Sequence, residues 1–505
     1  MTPHKLDYGT ELFVDDLLIE TKHGVTRTLH PAAKTAEPVL APEPGKPWEN
    51  DGPDRTKRVN LLGTVLHDKR LNKFQMWYLA RMDPDHGHRI PGLYVPRTGA
   101  GDATRYMGRR TDDDGRNFRG SDIGDLLCYA ESDDGRKWTK PDLGVFDFDD
   151  SPNNNIVWDL HGASVFLDDA RDDRERYTAI GFCRRYRNIF VIKSPDGIHW
   201  SDEGLKQPVI ERSNEGPTNV VYDAKADRYL SYMLLGGGAE RRHIEYSESK
   251  RLEDGWSEIT PMLEPSLEDD ALGKERYGAI RSEFHNMSGF PYDGIFIGIL
   301  GVLYVTEDIV NTAPGQAAVD GPIDAQFVYS RDGVNWRHFE DRTPILPRGK
   351  GGEYDSGMIL FTAKEPLVED DEIHWYYTGS TQTHGKLLKD KVMSIGRASW
   401  RLDGFVSLDA DDGVVETVPL QMPDSRLEVN VDASTGSLAV EVLSPDGQAQ
   451  PGFSAEACTL IRGDHVRHSV RWGDRGLNQA EQPCRLRFHM KRAKLYSFRI
   501  LPPED

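Results

Sequence analysis

The chain has 505 residues, with 83 acidic side chains against 62 basic ones, a formal net charge of −21 and a pI near 5.2. That balance argues against a nucleic-acid surface, because phosphate binding draws on clustered Lys and Arg, and no apolar run approaches the roughly 20 residues of a membrane span. With 37% apolar residues and 48 glycines the chain is globular in composition, and its start, MTPHKLDYGTELF, lacks the basic and apolar stretches of a secretory signal, so a cytoplasmic protein is expected.

In chain order, residues 1–45 hold ELFVDDLLIE and most of the Pro-rich AEPVLAPEPGKPW, a segment expected to wrap the domain that follows and to help close it. From residue 46 a repeat sets the architecture. VNLLGTVLHD, FQMWYLA and LLCYAE lead into SDDGRKW (Ser132 to Trp138). ASVFLDD, RYTAIGF and NIFVIK lead into SPDGIHW (Ser194 to Trp200), and TNVVYDA and RYLSYMLL into IEYSESKRLEDGW (Ile244 to Trp256). YGAIRSEF, GIFIGILGVLYV and AQFVY lead into SRDGVNW (Ser330 to Trp336), and GMILFTA and EIHWYYTGS into MSIGRASW (Met393 to Trp400). Asp-Gly is a tight-turn dipeptide, since glycine supplies the positive φ such turns need. Successive serines at 132, 194, 247, 330 and 394 lie 62, 53, 83 and 64 residues apart. Four short strands per unit, five times over, with helical periodicity almost absent, predict an all-β fold: a five-bladed β-propeller over residues 46–405. From there to 505, alternating stretches such as RLEVNVDA, SLAVEVLSPDG and LRFHMKRAKLYSFRI predict a C-terminal antiparallel β-sandwich. The four cysteines, Cys128, Cys183, Cys458 and Cys484, have no zinc-like spacing and read as reduced structural thiols.

Propeller geometry puts the start of each innermost strand and the loop between second and third strands at one face, around the central channel, and the Asp-Gly turns at the other. This sorting selects candidate residues. Trp48, Glu49, Asp51 and Asp54 lead into the first unit, Asp159 and His161 into the second, and Asn214, Glu215 and Asn219 into the third. Tyr277, Arg281 and Glu283 open the fourth, and Glu353, Tyr354 and Asp355 the fifth. The second-to-third strand loops add Arg81, Asp85, His86, His88, Arg184, Arg185, Arg241, Arg242 and His384. Carboxylates serve as acid and base at a glycosidic bond, arginines hold hydroxyls or acidic substituents, and Trp offers an apolar face to a sugar ring. Arg281 and Glu283, two apart on one strand, share a face and are placed to form an ion pair.

The turn motifs, the WEND string before the first unit, the GGEYDSGMI string before the fifth and Leu12 to Asp16 (LFVDD) resemble the five-bladed propeller glycosidases of glycoside hydrolase families 32, 43, 62, 68 and 130 over roughly residues 10 to 405, and among them the bacterial family-32-like proteins with a C-terminal sandwich. The resemblance implies a catalytic role for Asp51 (or Glu49 or Asp54) as base or nucleophile, for Glu215 in tuning pKa and for Glu283 as general acid, with Asp355 a competitor. Trp48, Arg81, His86, His161, Arg184, Arg241, Arg281, Tyr354 and His384 would bind substrate. The family 32 strings Asn-Asp-Pro-Asn-Gly, Arg-Asp-Pro and Glu-Cys are absent. The implied reaction is exo-hydrolysis of a small oligosaccharide, a furanoside or fructoside, without nucleic-acid or membrane partners and with self-association open. It needs no cofactor, though a central cation such as Ca2+ near His384 fits the family. The alternatives are a family 130 type phosphorylase, sialidase-like chemistry suggested by the Asp-box character of the turns, and a non-catalytic sugar-binding propeller.

Overall fold

The computed structural model describes residues 2–50, 52, 56–81, 90, 125–183, 188–211, 218–235, 241–313 and 316–503, and these are mostly β. Five sets of antiparallel strands follow one another. The first runs Lys57–Asp68, Lys73–Arg81, Asp125–Ser132 and Ile156–Trp158; the second Leu160–Leu167, Tyr177–Cys183 and Asn188–Ser194. The third holds Thr218–Asp223, Arg228–Leu235, His243–Ser249 and Thr260–Leu263. The fourth is built on Arg281–Tyr292, Ile295–Val305 and Ile323–Ser330, with Trp336–His338 and Pro344–Leu346 both along the last of these. Met358–Thr362, Glu372–Ser380 and Val392–Arg401 make the fifth. All eleven residues of Ile295–Val305 are buried. Both faces of that strand are covered, which is why it reads as a continuous apolar run without alternation.

The sets close on one another. Val392 and Met393 of the fifth pair in parallel with Lys57 and Arg58 of the first. The N-terminal Ala33–Lys34 adds an antiparallel strand to Val392–Arg401, and Leu40 bridges Ile395.

The Ser-x-Asp-Gly turns fasten neighbouring sets. In each, one aspartate oxygen accepts two successive backbone N–H groups: Asp134 from Arg136 and Lys137, Asp196 from Ile198 and His199, Asp332 from Val334 and Asn335. Gly135, Gly197 and Gly333 take φ of 63°, 76° and 75°, a region only glycine enters without strain. Their carbonyls accept from aromatic donors on the second strand of the adjacent set: Tyr376 Oη to Gly135 at 2.5 Å, Trp77 Nε1 to Gly197 at 2.7 Å and Tyr232 Oη to Gly333 at 2.9 Å. The first of these links the fifth set to the first.

Beyond Val406 the strands Val406–Thr417, Arg426–Leu443, Ile461–Ser469 and Arg485–Leu501 form a sheet with three N-terminal strands, Gly9–Leu12, Ile19–His23 and Thr26–Leu29. The seven strands belong to one hydrogen-bonded sheet. The 18-residue strand breaks register between Asp432 and Ser437, so its two halves, read from sequence as separate strands, are continuous. Its core, from Phe13 to Phe488 and Ile500, is a cluster distinct from the large one that draws on the first, third, fourth and fifth sets, while the second set packs into two smaller clusters.

One α-helix, Leu267–Tyr277, stands among the described residues and escapes the periodicity reading. Only Asp269 and Gly273 are buried on it, so it has no apolar stripe to detect. Its signals are local: Ser266 and Asp269 form a capping box, and Gly278 ends it in the left-handed conformation. The four cysteines are buried free thiols, and no described helix is long and apolar enough to cross a membrane.

Candidate functional site

In an antiparallel set, the start of the first strand, the end of the second and the start of the third lie at one end, and the Ser-x-Asp-Gly turn follows the third strand at the other. At the end opposite the turns, buried charges gather from successive sets. Arg58 is the second residue of its strand and 4% exposed. Arg81 ends the second strand and faces Asp125, which opens the third. Arg81 Nε lies 3.0 Å from Asp125 Oδ1, and His161 Nδ1 donates to Asp125 Oδ2 at 2.6 Å. A carboxylate shared this way orients the imidazole as its Nδ1–H tautomer and makes Nε2 the basic nitrogen.

The third and fourth sets meet at Glu283. Strand alternation sends Ser282 and Phe284 inward, Ser282 to the helix carbonyl of Asp269 and Phe284 to the core, and gives Glu283 the opposite face. Arg242 Nη1 donates to Glu283 Oε2 at 2.5 Å and Arg281 Nε to Oε1 at 2.8 Å. Arg281 also forks onto Asp308, with contacts of 3.0 and 2.7 Å. The expected Arg281–Glu283 pair is therefore present, and both oxygens of Glu283 are occupied. Arg241 turns away: it donates to Asp270 at 2.5 Å and to the Ser282 carbonyl at 2.7 Å.

The fourth and fifth sets meet at two histidines. His384 Nδ1 donates to the Val319 carbonyl at 3.1 Å, so its Nε2 accepts from His285 Nε2, 3.1 Å away. Burial pushes both imidazoles down, His384 to about 3, and the charges of Arg242 and Lys391 add to the effect. Both rings are neutral at physiological pH, in keeping with that tautomer chain. Lys391 Nζ donates to the His384 carbonyl at 2.5 Å, and burial followed by the charge of Arg58 lowers this ammonium to about 7, with Arg81 lowering it further and Asp320 opposing.

Other candidates sit elsewhere. Trp48 is buried, donating to Asn155 at 3.1 Å and packed on Phe148, so it offers no face to a ligand. Glu49 is enclosed by Tyr78 Oη at 2.5 Å and Lys140 Nζ at 2.6 Å. Asp355 accepts from Lys34 Nζ at 2.7 Å and Tyr377 Oη at 2.8 Å, and Tyr354 Oη meets Tyr377 Oη at 2.6 Å. These two cross the face of the fifth set above Gly379 and Gly396, where a Cβ would collide with them. Asp51, Asp54, His86, Arg184 and Glu215 lie outside the described residues, as do Asp85, His88, Arg185 and Asn214. Sequence reasoning passed over Arg58, Asp125, His285 and Lys391. Asp125 was accessible through strand register, as the residue opposite Arg81.

A central cation does not fit the described donors. Both ring nitrogens of His384 are engaged, its charged neighbours are Arg242, Lys391 and Asp320, and among the described residues no three His, Cys, Asp or Glu side chains are grouped to hold a metal.

No family model matches the sequence, and no curated protein matches it. Solved structures that match the chain include one described as a glycoside hydrolase (12% identity, 72% of this chain and 92% of that chain, TM-score 0.42). An α-L-arabinofuranosidase from Podospora anserina in complex with cellotriose is 11% identical over 74% of this chain and 98% of its own, at TM-score 0.40. A third comes from work on family 130 mannoside phosphorylases and on hydrolases that target β-1,2 mannosidic linkages in Candida mannan (12%, 74% and 94%, TM-score 0.39). At these scores no residue-by-residue correspondence follows.

Proposed function

We propose that the chain is a cytoplasmic glycoside hydrolase, a five-bladed β-propeller with a C-terminal β-sheet domain, that trims a terminal sugar, furanoside or fructoside, from a small oligosaccharide. The observation that carries this reading is the gathering of Arg58, Arg81, Asp125, His161, Arg242, Glu283 and His384 from five successive strand sets at the end opposite the Asp-Gly turns. Such a pole offers what cleavage of a glycosidic bond requires: carboxylates, a fixed imidazole and several N–H donors for sugar hydroxyls.

Within it, Glu283 acts as the oriented carboxylate. While Arg242 and Arg281 hold both oxygens it has none free to deliver a proton, so it suits accepting a sugar hydroxyl or steadying positive charge at the anomeric carbon better than the acid role implied by resemblance. Proton delivery and water activation fall to Asp51, Asp54 and Glu215, which precede the strands beginning at Lys57 and Thr218, with His161 on Asp125 as a further proton carrier. The test is a panel of nitrophenyl furanosides, nitrophenyl pyranosides and short fructans, with and without phosphate. Cleavage of one sugar class without phosphate is expected. Silence across the panel contradicts the reading.

A further inference from the structure

The LFVDD string, which the pole does not use, joins two cores: Leu12 and Val14 pack into the large one and Phe13 into that of the C-terminal sheet. Beside it a cavity of about 490 Å3 opens at the turn end of the strand sets, opposite the pole. Its walls are the N-terminal segment from His4 to Glu11, the first-to-second strand turns of the third and fourth sets at Lys225 and Asp293, and Arg331 of the SRDGVNW turn. Two of its cations are engaged: Arg331 Nη2 donates to Asp15 at 2.7 Å, and Lys225 Nζ lies 3.5 Å from Asp7. The acceptors have capacity left. Among the described residues no donor hydrogen-bonds to the Glu11 carboxylate, whose nearest cation, Arg331 Nη1, is 4.0 Å away. Burial pushes this carboxyl up to about 7, against the charges of Arg331 and Lys225 and with those of Asp15 and Asp293. Asp293 accepts from Thr10 Oγ1 through Oδ2 at 2.6 Å, which leaves Oδ1 for another donor. Tyr8 is tied by its hydroxyl to the Asp424 carbonyl at 2.9 Å and stays 48% exposed in the same wall.

We propose that this cavity is a sugar-binding site separate from the pole, in which the Tyr8 ring lies against one face of a neutral saccharide while Glu11 and Asp293 accept hydrogen bonds from its hydroxyls. Hydroxyl groups supply the donors these carboxylates lack, and an aromatic ring covers the apolar face of a sugar. Charge selects a neutral ligand. The lining carries three carboxylates, Asp7, Glu11 and Asp293, and three cations, Lys5, Lys225 and Arg331, so neither an ammonium nor an anion meets a net attraction. The volume lies within the roughly 300–1,000 Å3 of small-ligand sites. Occupancy of this cavity does not depend on cleavage at the pole.

Isothermal titration calorimetry on the full-length protein with 1-kestose, arabinotriose and mannotriose, and with choline and glucuronate as charged probes, tests it. Wild type is expected to bind at least one of the three sugars, Glu283→Gln to keep that binding, and Tyr8→Ala and Glu11→Ala each to weaken it about tenfold or more. Glu11→Ala removes a carboxylate whose charge burial disfavours, so it is expected to fold, and Tyr8→Ala decides if it does not. No sugar bound by wild type, sugar affinity unchanged in both variants, or binding lost in Glu283→Gln alone overturns the proposal. Choline or glucuronate bound in place of a sugar, and weakened by the same two variants, overturns the neutral-sugar assignment. Since the readout is binding, missing glycoside turnover counts against the proposed function alone, and turnover with sugar binding indifferent to Tyr8 and Glu11 counts against the cavity alone.

Discussion

Asp68 and Lys391 are both buried charges, and their surroundings drive them in different ways. Burial pushes the Asp68 carboxyl up, but Arg176 at 2.5 and 2.8 Å, the Tyr177 hydroxyl at 2.5 Å and the Leu71 N–H outweigh it and hold the group well below the usual carboxylate range. A depressed carboxyl contributes stability above about pH 4 that is lost as pH falls toward its folded value. Asp68→Ala leaves Arg176 buried with only Asp169 as counter-charge, and is expected to cost roughly 3–5 kcal/mol in urea unfolding near neutral pH. Lys391 has the same sign of linkage from the opposite cause, since its surroundings disfavour the charged form. Its ammonium is lowered to about 7 among Arg58, Arg81, Asp320 and the His384 carbonyl, so the unfolded chain binds more protons than the folded one between about pH 7 and 10. Stability from this group therefore rises with pH across that window. The melting temperature of wild type relative to Lys391→Met should climb from pH 7 to 10, and a flat difference would remove the buried-ammonium assignment. The Arg281–Glu283 pair was legible because it needs only strand alternation. The meaning of Lys391 and Asp125 depends on partners brought in from other strand sets, which spacing along the chain does not reveal.

The turns were the most legible elements, and the structure adds why their glycines and aromatics occur together. The loops at Gly135, Gly197 and Gly333 each present a carbonyl to a Trp or Tyr of the adjacent set, so a motif that reads as a local turn is also a long-range latch. A Cβ at position 197 would meet the Trp77 ring at 2.5 Å and would sit at φ 76°. Gly197→Ala is accordingly expected to destabilise by roughly 1–3 kcal/mol, read as a lower denaturation midpoint at unchanged slope. A wild-type midpoint would show the latch to be dispensable. The helix Leu267–Tyr277 was illegible for the converse reason: it is anchored by polar caps and by Asp270, which receives Arg241 and the Ser282 N–H, instead of by an apolar face.

Across the whole molecule, the last strand set returns to the first through the Val392–Lys57 pairing and the Tyr376–Gly135 latch, and the N-terminal Lys34 reaches Asp355 across the closing set. Asp355, a catalytic candidate by sequence position, is thereby enclosed between Lys34 and Tyr377. Asp355→Ala should strip a buried charge pair and lower stability by roughly 3–5 kcal/mol in denaturant unfolding, and an unaltered unfolding curve would contradict that placement. The predominance of β structure followed from periodic turns and β-rich runs. The single continuous C-terminal sheet, which takes in strands from residues 9–29, required pairing between residues 377 to 491 positions apart. The central claim is that sugar chemistry takes place at the pole around Glu283, and kcat/KM of folded Glu283→Gln against wild type, on whichever glycoside the panel identifies, tests it most directly. The account predicts a loss of about a hundredfold or more; a variant as active as wild type would contradict it.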